Sequence, residues 1–281
     1  MPRARLLVVR RGGLGDTLLM VPVLRALARA QPEHELHFAG VLEFAVLLAH
    51  YGVVARALST EDLSVWTLAS GVVPARWRDY AAVVADDVAC QRLVEVGITV
   101  HCFDPRPRDE RPLPIQLAAQ LQLALRWPDD AFLRPGGAST GAIVLAPGSG
   151  ARAKCWPQEH WLQTARALAD HAPIEVLIGP VEIERDDARQ WPWSSPVTFV
   201  VEHDLVRVAA RLQSARAFLG NDSGTTHLAA MLGVPTVAIF GVGNPRVFAP
   251  IGPRTQVVSS NDGTFPDVES VLAAVRRQLA S

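Results

Sequence analysis

The chain has 281 residues, enough for two domains at about 150 residues each. Hydrophobic residues make up 49% and mean hydropathy is +0.17, which excludes a disordered chain or an acidic tail. The 27 basic and 28 acidic side chains divide as 15 against 15 over residues 1–140 and 12 against 13 beyond, so neither half is a cationic lobe and no nucleic-acid partner is expected.

Leu6–Val9 reads as a buried strand, too short and too closely hemmed by Arg3, Arg5, Arg10 and Arg11 to be a signal core. A helix is expected next, capped by Asp16, with Leu18, Leu19, Val23, Leu24 and Leu27 on its apolar face. Leu36–Ala39, Val53–Ala57 and Ala81–Ala85 are further strands, and Ile115–Leu125 is a helix closed by Trp127-Pro128. The stretch 41–58 comes nearest to a membrane span, but Glu43, His50, Gly52 and Arg56 break it well short of the roughly 20 residues required. Residues 134–141 are linker-like.

The alternation then restarts, with strands at Ile143–Ala146, Glu175–Ile178, Val197–Val201, Ala217–Leu219 and Thr236–Phe240. Helices are expected at His160–Ala169, Glu184–Trp191, Leu205–Leu212, Thr226–Leu232 and Val268–Leu279. Alternating strands and helices define an α/β chain of two doubly wound, Rossmann-like domains, 1–137 and 138–281, with the last helix free to pack back on the first. Cys90, Cys102 and Cys155 have neither CxxC nor metal-ligand spacing, and so odd and sparse a set is expected to be reduced and cytosolic.

Three strand-to-helix loops carry polar chemistry. In Arg10-Arg11-Gly12-Gly13-Leu14-Gly15-Asp16-Thr17, three glycines let a ligand approach the backbone and the helix-start amides favour anionic or oxygen-rich groups. The spacing is neither the dinucleotide fingerprint nor a phosphate-binding loop ending in lysine. Asp16 serves there either as a helix cap or as a general base. The second loop, Ala146 to Pro157, contains Ser149 and Lys154, the only lysine in a chain whose other 26 basic residues are arginine. A compact ammonium suits a diphosphate better than a planar fork does. The third, Gly220 to Ala230, offers Asp222, Ser223, Gly224, Thr225, Thr226 and His227 at a helix start, an anion cradle in which His227 is either a phosphate donor or a structural residue. After a further strand, Glu182 and Glu184 are alternatives for a carboxylate that accepts from ribose hydroxyls. The adjacent pairs Asp86-Asp87, Asp129-Asp130 and Asp186-Asp187 point apart, so no metal is assigned. Arg76, Arg78, Arg106, Arg108 and Arg111 make the first half's loops locally basic and could meet an anionic acceptor.

Together these loops resemble the heptosyltransferases of glycosyltransferase family 9, the enzymes that build the inner core of lipopolysaccharide. The resemblance rests on Gly15-Asp16-Thr17 with Pro22, on Lys154-Cys155-Trp156-Pro157, and on Asn221-Asp222-Ser223-Gly224 with His227-Leu228-Ala229-Ala230. Gly233-Val234-Pro235-Thr236 and Phe240-Gly241 extend it, while Thr225-Thr226 departs from the Pro-Met often found there. It implies a GT-B architecture of two Rossmann-like domains facing across a cleft, and metal-independent, inverting transfer of a sugar, heptose, from ADP-heptose to a glycan or glycolipid hydroxyl. By the same resemblance Asp16 is the base and Lys154 the diphosphate ligand. It also implies that Asp222, Ser223, Gly224 and His227 form the sugar-diphosphate pocket and that Glu184, with Glu182 as the alternative, meets the ribose. Gly15, Thr17, Ser149, Thr225 and Thr226 are further expected donor contacts, and Arg11, Gly12, Gly13, Arg106 and Arg108 are expected to face the acceptor. A cytoplasmic monomer without cofactor, at most peripheral to the inner membrane face, is expected. The competing readings are a sugar-nucleotide epimerase or hydrolase on the same fold, and a catalytically silent sugar-nucleotide-binding protein.

Overall fold

The computed structural model describes residues 3–133, 141–185, 187–260 and 262–280. They divide into two units, Met1–Ala131 and Phe132–Ser281; the expected boundary at 137/138 lies outside the described residues.

Unit one runs β1 (Ala4–Val9), α1 (Leu14–Leu18), α2 (Val21–Ala30), β2 (His34–Gly40), α3 (Leu42–His50), β3 (Arg56–Ser59), β4 (Ala82–Asp86), α4 (Asp87–Glu95), β5 (Val100–Phe103) and α5 (Leu113–Gln120). Its strands are all parallel, in the order β3-β2-β1-β4-β5, so chain order reverses between β1 and β4. Leu7, Val9, Val83 and Ala85 from the two central strands are buried in the core with Trp77 and Leu93. Such strands read as continuous apolar runs because helices cover both faces of a parallel sheet.

Several elements differ from expectation for local reasons. The single helix after β1 is two, because Pro22 has no N–H to give the Leu18 carbonyl; Met20 instead donates back to Thr17 O at 3.1 Å. Val53 and Val54 are buried in the turn leaving α3, and β3 begins only at Arg56. The helix expected to reach Leu125 stops at Gln120, and Gln122 takes φ 57°, which no helix continues. Cys90 and Cys102, expected as free thiols, form a disulfide: α4 returns the chain beside β4 and places Cα atoms twelve residues apart in sequence at 6.0 Å.

Unit two runs β6 (Ile143–Ala146), α6 (Gln158–Leu168), β7 (Ile174–Ile178), α7 (Pro180–Arg185), β8 (Val197–Val201), α8 (Leu205–Gln213), β9 (Ala217–Asn221), α9 (Gly224–Met231), β10 (Thr236–Phe240), α10 (Pro245–Phe248), β11 (Thr255–Ser259) and α11 (Val268–Ala280). Its parallel sheet has the order β11-β10-β9-β6-β7-β8, with the switch point between β6 and β9. Trp156, Trp161, Leu145, Leu219 and Ile239 form its core, and α11 packs there through Val271, Ala274 and Val275. Each of the Leu, Ile and Val side chains contributes about 1.5–3 kcal/mol by leaving water. The helix expected at 184–191 begins earlier, at Pro180, whose fixed φ suits a first helical turn. No helix of the described residues is long and apolar enough to cross a membrane.

Candidate functional site

In an open parallel sheet, ligands settle beyond the carboxyl ends of the strands where strand order reverses. In unit two that position lies between the loops that follow β6 and β9. Asn221, the last residue of β9, is fully buried and holds these loops together. Its Nδ2 donates to the Pro147 carbonyl at 2.6 Å, and its Oδ1 accepts from Trp156 N–H at 3.0 Å. Trp156 is in turn anchored by its indole N–H on Pro266 O at 2.9 Å. Ser149 Oγ donates to Asp222 O at 2.8 Å, stitching the same loops a second time.

This clamp brings Lys154 to the start of α9. Lys154 Nζ donates to Asp222 Oδ2 at 2.6 Å, where Asp222 is buried and the lysine side chain is 38% exposed. An ammonium has three protons, so two remain for another acceptor. Ser223 Oγ lies 3.0 Å from Thr225 Oγ1 and 3.1 Å from Thr226 Oγ1 at the helix start, where the first-turn N–H groups have no intrahelical partner. His227 is buried in that first turn. An ammonium and a helix N-terminus side by side form a site for an anionic group.

Beside it lies a cavity of about 310 Å³ lined by Pro147, Gly148, Arg152, Trp156, Glu182 and Trp191, among others. Glu182 is half-buried, and its Oε2 accepts from Gly179 N–H at 2.8 Å. A Cβ on Gly148 would collide with the Glu182 carboxylate, so only glycine admits the acid there. Glu184 is exposed and does not line the cavity. Of the two alternatives, Glu182 is the acid that the fold brings to the pocket.

In unit one the corresponding switch point lies between the loops after β1 and β4. Asp16 is the third residue of α1 and caps it from within: its Oδ2 accepts from the N–H of Gly13, the N-cap residue, at 3.0 Å, and Arg10 Nη2 donates to its Oδ1 at 3.2 Å. Its side chain remains 41% exposed. Gly12 has φ +150°, and a Cβ there would come within 2.9 Å of Asp16 Cβ and Oδ2.

Several of the other expected site residues make contacts within their own unit. Thr17 is buried. Gly15 lies inside α1, its carbonyl accepting from Leu19 N–H at 2.9 Å. Thr226 is fully buried and gives its hydroxyl proton to Asn221 O at 2.6 Å. Arg106 forks onto Asp104 at 2.9 and 3.1 Å, and Arg108 lies 3.9 Å from the same carboxylate. The side-chain hydrogen bond from Arg106 is the chief reason that the Asp104 carboxyl sits below the usual carboxylate range. Arg11 is half-exposed with Nη2 3.6 Å from Asp86. Sequence reasoning missed Asn221 as the clamp and Asp86 as a partner of the Arg10-Arg11 pair. The signal available for both was their position, immediately at the carboxyl end of a strand. Among the described residues no three His, Cys, Asp or Glu side chains group as a metal site.

Two Rossmann-like units, each a parallel sheet with helices between its strands, make this an α/β protein of GT-B type. The pattern of glycosyltransferase family 9 (heptosyltransferase) matches residues 111–274, and the chain belongs to that family. It is 31% identical to lipopolysaccharide heptosyltransferase 1 of Pseudomonas aeruginosa over 125 residues, 44% of this chain and 34% of the relative. The matched region spans about a third of the length of the curated relatives. Among solved structures, a family 9 glycosyl transferase from Veillonella parvula superposes with TM-score 0.78 at 17% identity, covering 100% of this chain and 99% of the other. The E. coli ADP-heptose LPS heptosyltransferase II superposes with TM-score 0.72 at 18% identity, covering 98% of both chains.

Proposed function

We propose that this chain is an inverting glycosyltransferase that moves heptose from ADP-heptose to an acceptor hydroxyl of the lipopolysaccharide inner core. The observation that carries the reading is Lys154, the sole lysine, held at the start of α9 beside a pocket that ends on Glu182. In this reading the diphosphate takes the two free ammonium protons and the first-turn amides, and Glu182 accepts from the ribose hydroxyls. Asp222 holds the ammonium in place, so its charge need not repel the phosphates.

Asp16 is the general base of the proposed transfer. It takes the acceptor's hydroxyl proton as that oxygen bonds to the anomeric carbon, and the bond from that carbon to the diphosphate oxygen breaks from the opposite face. The bond's electron pair leaves with ADP, where Lys154 and the amides stabilise the developing charge. Family membership and the relatives named as heptosyltransferases support this donor and acceptor. The test has two parts. Calorimetry should give ADP binding that Lys154→Ala weakens by at least about tenfold, or 1.4 kcal/mol. ADP release from ADP-heptose should depend on added lipopolysaccharide from heptose-deficient cells. Product from the donor alone would favour an epimerase or hydrolase, and ADP binding without any turnover would favour a silent binding protein.

A further inference from the structure

In unit one, β1 and β4 are parallel neighbours with Val9 abreast of Ala85. The next residues, Arg10 and Asp86, therefore sit side by side at the carboxyl edge of the sheet. Both are buried, at 8% and 7% exposure. The Arg10 guanidinium is the junction of a small network. Its Nη2 donates to Asp16 Oδ1 at 3.2 Å, its Nη1 donates to Arg11 O at 2.7 Å, and Nη1 lies 4.0 Å from Asp86 Oδ2. Arg10 Nε is buried with no hydrogen-bond partner among the described residues. The second Asp86 oxygen lies 3.6 Å from Arg11 Nη2.

We propose that Asp86 is a positioning residue for Asp16, acting through Arg10; this rests on the reading of Asp16 as the general base. One Asp16 oxygen is fixed by Gly13 N–H and the other by Arg10, so the plane of its carboxylate depends on where the guanidinium stands. Asp16 is half-exposed, and the other group that holds the guanidinium by a hydrogen bond, the Arg11 carbonyl, carries no charge. Asp86 is the buried carboxylate beside the Arg10 charge, 4.0 Å from it. Without it the cation is left buried beside a single carboxylate, an arrangement that proteins relieve by shifting the side chain. A shift of about 1 Å in a reacting group can cost on the order of 100-fold in rate. The donor is held by unit two in the proposed reading, so its binding is untouched.

The test compares Asp16→Asn, Asp86→Asn, Arg10→Lys and the double variant Asp16→Asn/Asp86→Asn. It measures ADP release from ADP-heptose with heptose-deficient lipopolysaccharide, and uses circular dichroism and ADP calorimetry as fold controls. Asp86→Asn is expected to lower kcat at least about tenfold with the donor KM within about twofold of wild type. Arg10→Lys keeps the charge but loses the fork, and should show the same split. The double variant should turn over no more slowly than Asp16→Asn alone, because a residue acting through Asp16 has nothing left to act on. Wild-type kcat in Asp86→Asn, or a full further loss in the double variant, overturns the proposal. Wild-type turnover in Asp16→Asn instead overturns the reading of the base, so the two failures are distinguishable.

Discussion

Replacing Asn221 with alanine removes the clamp between the loops after β6 and β9 without touching Lys154, Glu182 or the first turn of α9. The lost amide leaves two backbone groups unpaired, the Pro147 carbonyl and the Trp156 N–H, which it held at 2.6 and 3.0 Å. An orphaned buried polar group costs about 1–3 kcal/mol, so the pair costs about 2–6 kcal/mol if nothing replaces the amide. The space vacated can admit water, which brings the expectation to about 3 kcal/mol. For a unit of this size 1 kcal/mol moves Tm by about 2–4 °C, giving a fall of about 6–12 °C. Tryptophan fluorescence is a suitable probe, because buried Trp156 is itself one of the clamp's partners. The same change lets the Lys154 loop drift from α9, and ADP affinity should fall by at least about tenfold. A Tm within about 2 °C of wild type with unchanged ADP affinity would refute the clamp.

Other outcomes follow from the same geometry. Glu182→Gln should weaken ADP binding by about 1–2 kcal/mol in calorimetry, as expected for a charged hydrogen-bond acceptor, while Glu184→Gln, on an exposed position, should leave it unchanged. Gly12→Ala would place a Cβ 2.9 Å from Asp16 Oδ2 at a φ that only glycine readily takes, so turnover should drop at least about tenfold with ADP affinity preserved. Burial tends to raise the Asp130 carboxyl, but the Arg29 fork at 2.6 and 2.7 Å, the Arg126 N–H at 2.7 Å and nearby charge together hold it below the usual carboxylate range. A carboxyl lowered on folding contributes stability above its unfolded value of about 3.9, and that contribution is lost as pH falls through the folded value. Acid unfolding of wild type should therefore steepen below about pH 4, whereas Asp130→Asn should be about 3 kcal/mol less stable at neutral pH and lack that limb.

Much of the second unit was legible because its central strands are unbroken apolar runs. Ile143–Ala146 and Thr236–Phe240 form as read, since a strand buried on both faces needs no alternating pattern to announce it. The polar loops after β1, β6 and β9 could be picked out one by one, because glycines and hydroxyls between a strand and a helix are a local signal. Lys154 was conspicuous through composition alone.

Which of those polar residues meet was decided by long-range pairing. Parallel register, not spacing, sets Asp86 beside Arg10, and the packing of α4 beside β5 closes Cys90 on Cys102. The start of α7 at Pro180 turns Glu182 rather than Glu184 toward Gly148, a choice that a shift of two residues along one helix reverses. Thr226 and Asn221 carry side chains fit to bind a ligand, yet Thr226 gives its proton to the Asn221 carbonyl at the end of β9, and Asn221 spends its amide on the backbone of the loop after β6. Residue type fixes what a side chain is able to bind; only the packed sheet, by choosing which backbone groups lie within 3 Å of it, settles what it does bind.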